Sequence, residues 1–277
     1  MNKGDISKVL SLSCVENYFL GYFQSKIDVR LLYTESFVSF NDVVDSFLKG
    51  IVSYENYPLP RLQDTSEKLG LTSHMLKTEM QAEQGQLNLI RVNREFFRNS
   101  KLLPWRADHY IAIERAENGY VFLNNYPLSD GKLNDDRMAE IYDGACLIYR
   151  QEDFFDRNEY IALCELQHER MAQETIRETR IGEGGLTPLR DAMLVLKTLR
   201  KRLIEWLQYE GERGRFDDDL SFRLQSERLI KQYEGILVAV QLQIVRKQTD
   251  IEGLREKLTQ LCEQETAWNK AIKNRRI

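Results

Sequence analysis

Cys14, His109 and an asparagine at 124 or 125 are the residues of this chain whose types and setting could do chemistry together. Ser13 and Glu16 have the spacing of a capping box, which predicts a helix with Cys14 as its first residue. A thiol there lies at the positive end of the helix dipole, which favours thiolate. His109 opens an alternating apolar stretch that runs to Glu114, and Asn118-Gly119 is a hairpin turn signal. The strand after that turn, Tyr120 to Leu123, ends in Asn124-Asn125, so folding back brings these asparagines near His109. A side-chain amide can accept from Nδ1–H, fix the tautomer and aim Nε2 at the thiol. Which asparagine faces His109 depends on register, since a one-residue slip turns a side chain to the other face of the sheet. Asn125 is the favoured partner, with Asn124 as the alternative. The set is a nucleophile, a base and an orienting amide, far apart in sequence and adjacent in the fold.

The elements that must position these groups are legible from pattern. A helix is expected over 14–23, with Val15, Tyr18, Phe19 and Phe23 on its apolar face. Leu31 to Thr34 reads as a short strand. Ser39 caps a helix through Leu48 that Gly50 ends. Helices over 61–69 and 73–83 stop at Gly70 and Gly85. Then the texture becomes β-rich: 87–93, 109–114, 120–123 and 145–149, with one short helix over 133–142. Helices followed by an antiparallel sheet give an α+β domain over residues 1–150.

Residues 151–277 are charged and helical. A helix over 153–180 is broken at Gly182–Gly185. Thr187 can cap the next helix with Pro188 in its first turn. Leu189, Ala192, Leu196, Leu199, Leu203 and Trp206 form a heptad seam. After a break at Gly211–Gly214, one long helix from about Asp218 to Trp268 carries two seams whose frame shifts near 240–244. This half reads as a helical hairpin or bundle, a possible homodimer surface, with no chemistry of its own. Its Arg200-Lys201-Arg202 run reads as a solvated face, or as a contact for an acidic partner.

Composition narrows the function classes. The chain has 277 residues, 30 % charged, a net charge of −4 and a pI near 5.6. That balance gives no basic field for nucleic acid. No signal peptide is read at the N-terminus, and no run approaches the ~18–20 apolar residues that span a bilayer, so a cytoplasmic protein is expected. Cys14, Cys146, Cys164 and Cys262 are scattered with no CxxC pair, which argues against a zinc site or a disulfide framework. No phosphate-binding or dinucleotide glycine motif is present. His74 and His168 read as bystanders on polar helices. Cys146, Cys164 and Cys262 read as core or seam residues, Trp105 as core or a wall of the site, and Asp108 as a surface carboxylate.

The first half resembles the N-terminal domain of the butirosin-type acyltransferase family, which has a papain-like, C39-peptidase-like fold. The matching pieces are Cys14 on the first long helix, Leu89-Ile90-Arg91-Val92-Asn93-Arg94-Glu95-Phe96-Phe97 leading to Leu103-Pro104-Trp105, His109-Tyr110-Ile111-Ala112-Ile113, and Asn124-Asn125-Tyr126-Pro127. The resemblance implies a cysteine acyltransferase that moves an acyl group from a carrier-protein thioester to an amine through an acyl-cysteine. Its catalytic residues would be Cys14, His109 and Asn125. The implied partners are an acyl or peptidyl carrier protein and a small-molecule amine. No metal and no cofactor are implied beyond the phosphopantetheine arm that carries the acyl group. The third catalytic residue is often Asp in such folds and is Asn here. The position six before the cysteine, a Gln in peptidases of the wider fold, is Lys8. The alternatives are an amidase or peptidase of the same fold, with water as acceptor, and a non-catalytic scaffold whose helical half binds a partner.

Overall fold

The computed structural model describes residues 1–53, 57–80, 82, 85–98, 109–151, 185–247 and 251–275. The expected helix over 153–180, with Cys164 and His168, and also Trp105 and Asp108, lie outside the described residues. The chain divides into two compact units, Met1–Val29 with Ser66–Asp156 and Arg30–Thr65 with Arg157–Ile277. The expected division at 150 keeps residues 30–65 with the sheet; here they belong with the C-terminal helices.

The first unit carries α1 (Lys3–Ile6), α2 (Cys14–Gln24), β1 (Thr72–Lys77), β2 (Leu87–Val92), a short 3-10 turn (Arg94–Phe97), β3 (His109–Ala116), β4 (Gly119–Asn125), β5 (Leu128–Leu133), α5 (Asp135–Ile141) and β6 (Tyr142–Gln151). The six strands form one antiparallel sheet in the order β1-β6-β2-β3-β4-β5. The α+β class therefore holds for this unit. On one face Ile90, Val92, Ile111, Ile113, Ile148 and Cys146 bury against Met138 and Ile141 of α5. On the other lies α2, whose Phe19 meets Tyr149 edge-on at 5.2 Å between ring centres. Tyr149 pairs with Leu87, and Leu89 pairs with Ala112, so these residues mark the α2 face.

Two elements differ from the sequence reading here. Residues 73–83, expected as helix, include strand β1, paired along its whole length with β6; cross-strand pairing decides a short segment that local pattern leaves open. Strand β5 was not expected, because Leu128-Ser129-Asp130-Gly131-Lys132-Leu133 is rich in residues that disfavour strands. It pairs with β4 on the edge of the sheet, where such residues are tolerated.

The β3–β4 hairpin turns at Glu117-Asn118, one residue before the expected pair, and Ala116 faces Gly119. Gly119 has φ +106°, and a Cβ there would run into the Leu133 carbonyl and come within 2.9 Å of the Asn134 Cα. Gly119→Ala is therefore expected to lower stability by at least the ~1–3 kcal/mol of a strained backbone, read as a lower urea midpoint at an unchanged denaturant slope.

The second unit contains the 3-10 stretch Val29–Ser36 from its second residue on, α3 (Phe40–Leu48), most of α4 (Pro58–Lys68), α6 (Leu186–Glu212), α7 (Leu220–Arg246) and α8 (Ile251–Lys273). Here α3 packs on α6, α6 on α7 and α7 on α8. All six residues of the expected seam, from Leu189 to Trp206, are buried. The expected strand Leu31–Thr34 is 3-10 helix with Leu32 and Tyr33 buried. The expected single helix from 218 to 268 is two, because Lys247 caps α7 in the left-handed conformation at φ 53°. The two expected seams therefore lie on separate helices, and residues 240–244, read as a stutter, are inside α7. Helix α6 starts at Leu186 with Gly185 as its N-cap, two residues earlier than the Thr187 cap expected.

Arg200 and Arg202 overturn the reading of a solvated basic face. Both are fully buried. Arg200 Nε donates to both oxygens of Glu265 at 3.0 and 3.1 Å, and its two terminal nitrogens donate to the Val38 carbonyl. Arg202 donates to Glu35 at 2.8 Å and lies over the Tyr33 ring. Only Lys201 points outward, to an exposed contact with Glu234 at 3.6 Å.

Candidate active site

Helix α2 begins where the sequence says it should. Ser13 is the N-cap, its hydroxyl accepting from the Glu16 N–H at 3.2 Å, and Cys14 is the first helical residue. The Glu16 carboxylate closes the turn by accepting from the Leu12 N–H, one residue before the Ser13 amide that a reciprocal box uses. Cys14 is partly exposed and outside any disulfide. Lys8 is exposed on the surface.

His109 opens β3, and its Nε2 lies 2.7 Å from Oδ1 of Asn124. Asn124, not the favoured Asn125, is the partner, and the register explains it. Ala112 faces Leu123 across the hairpin, so His109 and Ile111 share a face with the even-numbered residues of β4. Asn125 shares the face of Leu123 instead. Its N–H donates to the Tyr18 hydroxyl at 2.8 Å, and its buried Oδ1 has no hydrogen-bond partner among the described residues.

The amide orientation of Asn124 follows from its own bonds. Its Nδ2 donates to the Tyr126 carbonyl at 2.8 Å and the Pro127 carbonyl at 3.3 Å. Oδ1 is therefore the atom that meets His109, and Nε2 must be the protonated nitrogen that donates to it. In the neutral ring the basic lone pair is then on Nδ1. The sequence reading had the two ring nitrogens the other way round. The Phe97 ring backs the imidazole edge-on at 5.1 Å between centres. Asn124 is buried and His109 is half-buried.

The residue that sequence reasoning missed is Tyr18. It stands one helical turn after Cys14, on the same face of α2, where side chains four apart have Cβ atoms about 5–6 Å from each other. Its hydroxyl donates to the Leu123 carbonyl at 2.9 Å and accepts from the Asn125 N–H. These two backbone groups lie on either side of Asn124, at the point where the β3–β4 ladder opens beyond Ala112 and Leu123. Burial, first, and then the nearby Cys14 push the Tyr18 hydroxyl well above the usual phenol range, so it stays protonated and can donate. The available signal was its position: a buried tyrosine must find a partner for its hydroxyl.

The structure thus joins His109 to Asn124 directly, and ties the helix that carries Cys14 to the strand end that carries Asn124. The His109–Asn124 pair lies on the α5 face and α2 on the other; the opening at the end of the ladder is where the Tyr18 hydroxyl reaches the strands. The sequence matches no known family model and no curated protein. Among the described residues no group of three or more His, Cys, Asp or Glu side chains is placed to hold a metal ion, and no helix is long and apolar enough to cross a membrane.

Proposed function

We propose that the first unit is a papain-like cysteine acyltransferase in which Cys14, His109 and Asn124 act together at the open end of the β3–β4 ladder. The observation that carries this reading is the Nε2–Oδ1 bond. It fixes the tautomer that leaves Nδ1 basic, which is the state a general base needs. The cap at Ser13, which places Cys14 at a helix N-terminus, and the resemblance over residues 14–127 support it.

In this reading His109 takes the thiol proton and the Cys14 sulfur attacks the carbonyl carbon of an acyl thioester. Helix N-terminal N–H groups stabilise the developing oxyanion. The tetrahedral adduct collapses by breaking the bond to the carrier's thiol sulfur, which leaves with the proton from His109. An amine then attacks the acyl-cysteine, gives its proton to His109, and releases the Cys14 thiolate. The donor would be an acyl group on the pantetheine arm of a carrier protein. Arg200 and Arg202, being buried, take no part in docking it.

Intact mass spectrometry after incubation with an acyl-pantetheine thioester tests the proposal. The expected result is one acyl adduct, absent in Cys14→Ala and discharged by an added primary amine. Discharge by water alone would point to a hydrolase of the same fold. Absence of any adduct on Cys14 would sink the catalytic reading. The edge-on packing of Phe97 on His109 favours a second reading, in which the His109–Asn124 pair only ties strand ends together in a non-catalytic scaffold.

A further inference from the structure

We infer that Tyr18 is a positioning residue of this site: its hydroxyl sets the Cys14 end of α2 against the strand end that holds Asn124. The inference rests on the catalytic reading above. Tyr18 stands one helical turn after Cys14 on the same face of α2, so what holds Tyr18 also holds the turn that carries Cys14. Its ring is fully buried, and its two hydrogen bonds go to backbone atoms two residues apart. Between those atoms is Asn124, whose side chain is held in turn by the Tyr126 and Pro127 carbonyls and holds His109. One hydroxyl therefore couples the placement of the nucleophile to that of the base and its orienting amide. Backbone atoms on β4 make this coupling independent of which side chains occupy Leu123 and Asn125. The titratable groups placed around this tie are Cys14, beside Tyr18 on α2, and His109, bonded to Asn124 at the start of β3; the Glu16 carboxylate is engaged by the Leu12 N–H.

The test is the pH profile of Cys14 alkylation by iodoacetamide in wild type, His109→Ala and Tyr18→Phe. Wild type against His109→Ala decides the catalytic reading: identical profiles, at the position of an ordinary thiol, overturn that reading and this inference with it. If those two differ, Tyr18→Phe decides the inference alone. The expected result is a profile moved toward that of His109→Ala, with alkylation at pH 6 slowed about tenfold while the ring remains in place. A profile like wild type, with only a lower unfolding midpoint, would assign Tyr18 a purely structural role and overturn the inference. Amide exchange in the wild-type chain covers the case in which Tyr18→Phe fails to fold. Alkylating Cys14 is expected to speed exchange of the Asn125 amide at least tenfold without changing that of β6, and unchanged Asn125 protection would count against the coupling.

Discussion

His109→Ala is expected to slow the alkylation of Cys14 at pH 6 by about 100-fold. An unperturbed thiol has a pKa near 8.5, so only about one in 300 is thiolate at pH 6. A thiol paired with an imidazolium is largely ionised there, and the lower intrinsic nucleophilicity of such a thiolate takes back only part of the gain. The effect should shrink as pH rises past 9, where the variant ionises unaided. Asn124→Ala should give a smaller loss in the same direction, since the ring remains but its tautomer is no longer fixed by the Oδ1 contact. Asn125→Ala should leave reactivity close to wild type, because the contribution of Asn125 to the site is its backbone N–H. Rates of mass increase across a pH series measure all four proteins.

Arg200→Leu is expected to be the most damaging single change in the helical unit, at about 3–5 kcal/mol in urea unfolding. The Glu265 carboxylate is fully buried and takes two contacts from Arg200 Nε as well as the Tyr233 hydroxyl. Removing the guanidinium strands that charge in an apolar interior and also orphans the Val38 carbonyl. The double variant Arg200→Leu with Glu265→Leu should recover much of the loss, since a buried ion pair replaced by apolar residues is often close to neutral. Lys201→Ala, between the two buried arginines, should cost under about 1 kcal/mol, because its ion pair is solvated and long. That contrast within three consecutive residues separates burial from charge as the cause.

The sequence made the cap at Ser13, the hairpin, the β-rich stretch and the α6 seam readable, because each is a local pattern with a local cause. Asn124 was within reach as well. Any two-residue turn, whether at 117–118 or 118–119, pairs odd residues of β3 with even residues of β4, which places His109 and Asn124 on one face. What local pattern could not supply was long-range pairing. Residues 72–77 become a strand only because β6 lies beside them, and β5 forms only because β4 offers an edge. Arg200 and Arg202 read as solvated because their partners, Glu265, Glu35 and the Val38 carbonyl, are remote in sequence. Tyr18 read as core for the same reason: its partners are on β4.

The assignment of residues 30–65 to the helical unit has a consequence for how the chain is made. A ribosome releases Leu32, Phe37, Phe40, Val43 and Phe47 well before it reaches Arg200, Arg202 and Trp206, the groups that the Arg30–Thr65 segment is built around. During that interval this apolar stretch has no permanent home, and its burial must wait for the C-terminal third of the chain. A fragment cut after β6 would carry the same stretch without its companions.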